Sequence, residues 1–190
     1  MSIESPENLS SQYEKEVRMQ KEIEKIELIS TKLKEKYSPY QELVEFVDYL
    51  RSAEEVFIEA RVKSWSDDQT KEDLIKKEIY LMSLETGVDD KVFRAIYDDF
   101  HSLYASIGQV YSVTEKLLEK YKDCKECQEF IHYLGDISLI FLEAEKEGLA
   151  LNEAKERLFK ARMKVLSVDG QPELGVLEKI YEEFKKELNR

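Results

Sequence analysis

Shifted by 84 positions without a gap, the sequence falls on itself. Residues 32–103 lie over 116–187, and 22 of the 72 pairs are identical. That is several times what chance gives, even in a chain so rich in Glu and Lys. Lys32, Leu33, Glu35, Lys36 and Tyr37 return as Lys116, Leu117, Glu119, Lys120 and Tyr121. Glu45, Phe46, Tyr49 and Leu50 return as Glu129, Phe130, Tyr133 and Leu134, and Val92, Ile96, Tyr97 and Phe100 as Val176, Ile180, Tyr181 and Phe184. A fainter trace precedes them, with Tyr13 and Glu14 one period before Tyr97 and Asp98. A fixed period of this length marks a supersecondary unit used more than once, so any fold must suit the same hydrophobic pattern twice.

That pattern is helical. In the first copy Leu43, Phe46, Val47, Leu50, Ala53, Phe57 and Ala60 recur at three- and four-residue spacing, and Cys127, Phe130, Ile131, Leu134, Ile137, Phe141 and Ala144 repeat them. Six Gly and three Pro in 190 residues leave few places to break a helix. The spacing predicts seven helices, at about 7–37, 39–63, 69–85, 90–121, 124–147, 153–168 and 173–188. Ser38, Pro39 and Gln41 read as a capped start with proline at the first helical position. Asp123 with Glu126 reads likewise. Gly87, and Asp169-Gly170 before Pro172, read as stops. The fold class is therefore all-α: a helical bundle built from a tandem 84-residue repeat. It is expected to be a single domain over 1–190, with units at about 5–88 and 89–172 and a half-repeat helix at 173–190.

Composition narrows the partners. With 41 Asp and Glu against 29 Lys and Arg, the net charge is −12, which disfavours direct binding to nucleic acid because no basic stripe can release counterions from phosphates. The longest apolar run, around Ile137 to Leu142, is far short of the roughly 20 residues that span a bilayer. Residues 1–11 do not read as a secretory signal, so a cytoplasmic location is expected, without membrane contact.

Cys124-x-x-Cys127, followed by His132, is the candidate metal or redox site. Two thiols at the start of a helix have their pKa lowered by its dipole. Zinc or an iron–sulfur cluster is the cofactor they could carry; otherwise no cofactor is expected. The fourth ligand is missing, and two cysteines are too few for a disulfide framework. The repeat offers a plainer reading, since Cys127 replaces Leu43 and Cys124 lies opposite Tyr40, both as packing residues. Glu129-x-x-His132, with Glu45-x-x-Asp48, Glu14 and Asp98, has the residue types of a di-iron site. Glu14 and Glu45 lie too far apart along their helices to meet, at about 1.5 Å per residue. His101 and His132 lack Ser-His-Asp context and there is no phosphate-binding loop, so an enzyme is not expected. Trp65, at the end of the second helix and without a repeat mate, is the candidate anchor for a partner.

The succession of Glu115–Tyr121, a helix over Glu126–Gly148, an amphipathic stretch Glu153–Leu166 and a last helix with Leu177, Ile180 and Phe184 resembles the small helical YlbF/YmcA family of bacterial regulators. The resemblance covers about 80 residues, twice. It implies a non-enzymatic regulator acting in a protein complex, in that family connected with RNA processing, competence and biofilm control, some members holding an iron–sulfur cluster between subunits. The reading is a regulatory adaptor that binds another protein in a groove between the two repeats, with homo-oligomerisation open to it. The alternatives are a metal or redox protein using Cys124 and Cys127, and a carrier of a hydrophobic ligand along Ile137 to Leu142.

Overall fold

The computed structural model describes residues 6–62, 68–146, 152–168 and 172–189. They form seven helices: α1 (Pro6–Tyr37), α2 (Gln41–Val62), α3 (Asp68–Thr86), α4 (Asp90–Lys120), α5 (Lys125–Lys146), α6 (Asn152–Leu166) and α7 (Leu174–Leu188). There is no strand among the described residues, and none of these helices is long and apolar enough to cross a membrane. The all-α bundle follows directly from the three- and four-residue spacing of the apolar positions.

Two helix starts differ from expectation: α5 is capped by Cys124 and not by Asp123, the Cys124 carbonyl accepting Gln128 N–H at 3.0 Å, and α2 is capped by Tyr40 and not by Ser38. The N–H groups of Leu43 and Val44 both reach the carbonyl of Tyr40, at 3.1 and 3.2 Å, so Tyr40 caps α2. Pro39 sits before it in a turn closed by Tyr40 N–H on Tyr37 O at 3.0 Å. Its fixed φ serves the turn instead of the first helical position. The stop at Gly87 is as expected. Its φ is +73°, a left-handed conformation that glycine takes without steric cost, and its N–H closes on Ser83 O at 3.0 Å. Asp169 and Gly170, the expected stop of α6, lie outside the described residues.

The chain divides into two compact units, 1–104 and 105–190. The division falls inside α4, which gives its first half to one unit and its second half to the other. The repeat boundary expected near residue 88 is therefore not where the units part. Within the first unit Ile29, Leu33, Phe46, Leu50, Ile75, Ile79, Phe93, Ile96 and Phe100 are buried, and Phe46 meets Phe93 edge-on at 5.1 Å. Within the second, Val113, Leu117, Phe130, Leu134, Phe159, Met163, Leu177, Ile180 and Phe184 form the core. Each such side chain removed from water contributes roughly 1.5–3 kcal/mol before ordering costs. These two sets correspond position by position at the 84-residue offset, and α2 and α5, α3 and α6, and α4 and α7 begin 84 residues apart.

The same offset links polar clasps. Tyr37 donates to Asp99 at 2.9 Å, where Lys36 also pairs at 2.6 Å. In the second unit Tyr121 donates to Glu183 at 3.2 Å, and Lys120 pairs there at 2.7 Å. Burial and the Asp99 carboxylate hold the Tyr37 hydroxyl above its usual pKa. Burial works against ionisation of Glu183, but the Lys120 ammonium outweighs it and lowers that carboxyl.

Candidate functional site

Cys124 and Cys127 are joined as a disulfide at the start of α5, their Cα atoms 5.2 Å apart. Cys124 is the cap residue: its carbonyl accepts Gln128 N–H at 3.0 Å and its Sγ accepts Cys127 N–H at 3.3 Å. The sulfur takes the part an oxygen usually plays at a helix N-terminus. The two positions differ in surroundings. Cys127 is buried in the second unit's core, the packing role Leu43 has in the first, whereas Cys124 is half-buried. Tyr40, its repeat mate, is exposed, so that position is not a packing position in the first unit. Cys124 opens on a groove of about 580 Å³ bounded by Tyr121, Asp123, Glu126, Glu173 and Val176.

His132 does not join the cysteines. It is exposed on α5, and five residues along a helix carry it well round from Cys127. Among the described residues no group of three or more His, Cys, Asp or Glu side chains could hold a metal ion. The expected ligand set Cys124, Cys127 and His132 is therefore reduced to a bonded sulfur pair. Three of the di-iron residue types are partnered elsewhere: Glu129 pairs with Arg162, Asp48 with Lys34, and Glu45 accepts from Gln41. Trp65 lies outside the described residues. Ile137, Leu139 and Leu142 pack against the second unit's core.

A polar cluster inside the first unit was not legible in the sequence. Glu54 on α2, its side chain 4% exposed, pairs with Lys71 on α3 at 2.5 Å. His101, on the solvent side of this cluster on α4, meets Tyr97 edge-on at 4.4 Å. Burial, then the Lys71 charge, hold its imidazole below the ordinary value of 6.5. Tyr104 donates to Glu22 on α1; burial and that carboxylate push its hydroxyl well above the usual range. One period on, the place of Glu54 is taken by Ser138, buried with its hydroxyl lacking a hydrogen-bond partner. Glu54 with Lys71 ties α2 to α3, and Tyr104 with Glu22 ties α4 to α1.

The third feature faces outward. On α6, Ala154, Leu158, Ala161 and Val165 are exposed, followed by Val168 just beyond the helix. On α3 the same positions are Thr70, Leu74, Lys77, Leu81 and Leu84, also exposed. The spacing of 4, 3, 4 and 3 is the seam of a coiled coil. Both helices turn other residues inward, Ile75 and Ile79 on α3 and Phe159 and Met163 on α6. Leu84 is 64% exposed, Val165 60% and Val168 78%. Comparison of the chain with known protein families, characterised proteins and solved structures finds no match.

Proposed function

We propose that the chain is a non-enzymatic, protein-binding regulator whose two units are copies of one ancestral unit, each presenting the same outward helical seam to a partner. The observation that carries this reading is the pair of solvent-facing apolar seams, Leu74, Leu81 and Leu84 on α3 and Leu158, Val165 and Val168 on α6. A single exposed leucine needs no explanation, but aligned rows at 3.5-residue spacing match what one helix offers another. The resemblance to the YlbF/YmcA regulators points the same way.

The test is affinity purification from the native host at native expression, with nuclease treatment, followed by mass spectrometry. Wild type is compared with a chain carrying Leu74→Ser, Leu81→Ser, Leu158→Ser and Val165→Ser. A stoichiometric protein held by wild type and lost by the variant is the expected result. Retention of every bound protein by the variant would remove the seams from the reading.

A second reading rests on the disulfide beside its groove. Cys124 and Cys127 would exchange with a dithiol protein: the disulfide takes two electrons and two protons to become two thiols, and the partner dithiol becomes a disulfide. The capping N–H of Cys127 favours the Cys124 thiolate as leaving group and nucleophile. Alkylation of acid-quenched cells reads it out. Both cysteines should shift between bonded and alkylated forms when the host is challenged with diamide and then with dithiothreitol, and a fixed state under both would exclude it.

A further inference from the structure

The flanks of the two seams carry opposite charge. Along α6 the positions bordering the seam are Lys155, Arg157, Arg162 and Lys164, all basic. The helix as a whole has five Lys and Arg against two Glu, net +3, in a chain of net −12. Along α3 the bordering positions are Lys71, Asp73, Glu78, Tyr80 and Glu85, and the helix has five carboxylates against three lysines, net −2. Lys71 is turned to the buried Glu54, which leaves the α3 border acidic. Arg162 pairs with Glu129 in its own unit and Arg157 with Glu153 at 3.5 Å; Lys164 is exposed.

In paired helices, charges at the positions bordering the seam select the partner: like charges repel and opposite charges match. Two α6 faces would place basic rows together, and two α3 faces acidic rows. The matching combination is α6 with α3. We infer that the α6 face of one copy docks the α3 face of a second copy, so that the partner of this surface is the chain itself. The inference rests on the seams being binding surfaces and names their occupant. Thr70 and Lys77 interrupt the α3 seam where α6 has Ala154 and Ala161; a polar residue at a seam position fixes register at a cost in affinity. One helix face against another is a small interface, so association is expected in the micromolar range and to weaken with salt.

The test is sedimentation velocity of the full-length chain across a concentration series at low and high salt. Wild type should associate with concentration, either closing as a dimer with both contacts made or continuing head to tail. Lys155→Glu, Arg157→Glu and Lys164→Glu together reverse the α6 border, where Arg162 is already offset by Glu129, and Asp73→Lys with Glu78→Lys reverses that of α3. Each variant alone should lose roughly tenfold or more in self-association. An equimolar mixture of the two should recover it, because acidic α6 then meets basic α3. Circular dichroism checks that both variants keep their helix content. A wild type that stays monomeric throughout, or variants that associate as wild type does, would overturn the inference, as would a mixture that recovers nothing. Capture of a different protein through the intact seams, with a monomeric chain, would overturn this occupant and leave the binding reading standing.

Discussion

Gly108 and Gly135 both lie in helix interiors of the second unit, and their surroundings set opposite outcomes for the same substitution. A Cβ at Gly108 would meet nothing within 4 Å, whereas at Gly135 it would lie 2.9 Å from Thr114 Oγ1. That hydroxyl already donates to Val110 O at 2.8 Å, and a β-branched side chain has few rotamers to retreat into. Gly108→Ala should therefore stabilise the chain by about 0.5–1 kcal/mol through helix propensity. Gly135→Ala should cost roughly 1–3 kcal/mol by overpacking. Urea unfolding of both variants checks the pair. The helices expected at 90–121 and 124–147 put both glycines in helix interiors, but the sequence held no sign of the close approach at Gly135. Its repeat mate is Arg51, and only α5 packed on α4 reveals the contact. At Cys127 the repeat did expose the packing role, through Leu43. The bond to Cys124 depends on which way two side chains turn within one helical turn, which spacing leaves open.

Helix bounds were legible because apolar spacing reports the buried face directly, and the seven helices follow it to within a few residues. The outward seams were hidden by the same logic. Leu158 stands next to Phe159, and a second apolar row on one helix reads in sequence as more core. Charged residues inside the first unit were hidden because Glu54 and Lys71 have the composition of a solvated face. Removing one partner leaves the other charge buried, so Lys71→Met should cost about 3 kcal/mol or more. Ser138→Ala, at the equivalent place in the second unit, removes a hydroxyl without a partner and should stabilise by about 1 kcal/mol. Both are read by denaturant unfolding.

His101 adds a pH dependence to the same cluster, facing Lys71, Glu54, Glu72 and Asp98. Its pKa is depressed in the folded state, so the unfolded chain binds more protons once pH falls below the ordinary 6.5. The stability it contributes is present above 6.5 and lost as pH falls from there through the lower folded value. Glu22 and Glu183, both lowered from 4.5, lose theirs in a separate and more acid window. Unfolding free energy measured between pH 7 and 5 should decline for wild type, and His101→Phe should flatten that decline.

At the scale of the molecule, each unit buries one face of its third helix and leaves an apolar row on the opposite face, interrupted on α3 by Thr70 and Lys77. Folding of the unit does not account for that second face, since the core closes on Ile75 and Ile79 in one unit and on Phe159 and Met163 in the other. Exposed apolar rows carry an aggregation hazard, and the binding role proposed above would account for their presence in both units. The most direct measurement is photo-crosslinking in the native host, with a benzophenone side chain placed at Leu81 or Val165. The control is the exposed Glu119, whose side chain is 77% exposed on α4. Discrete protein adducts from positions 81 and 165, absent from 119, are the predicted result. Bare seams, or adducts of equal yield from all three positions, would contradict the account.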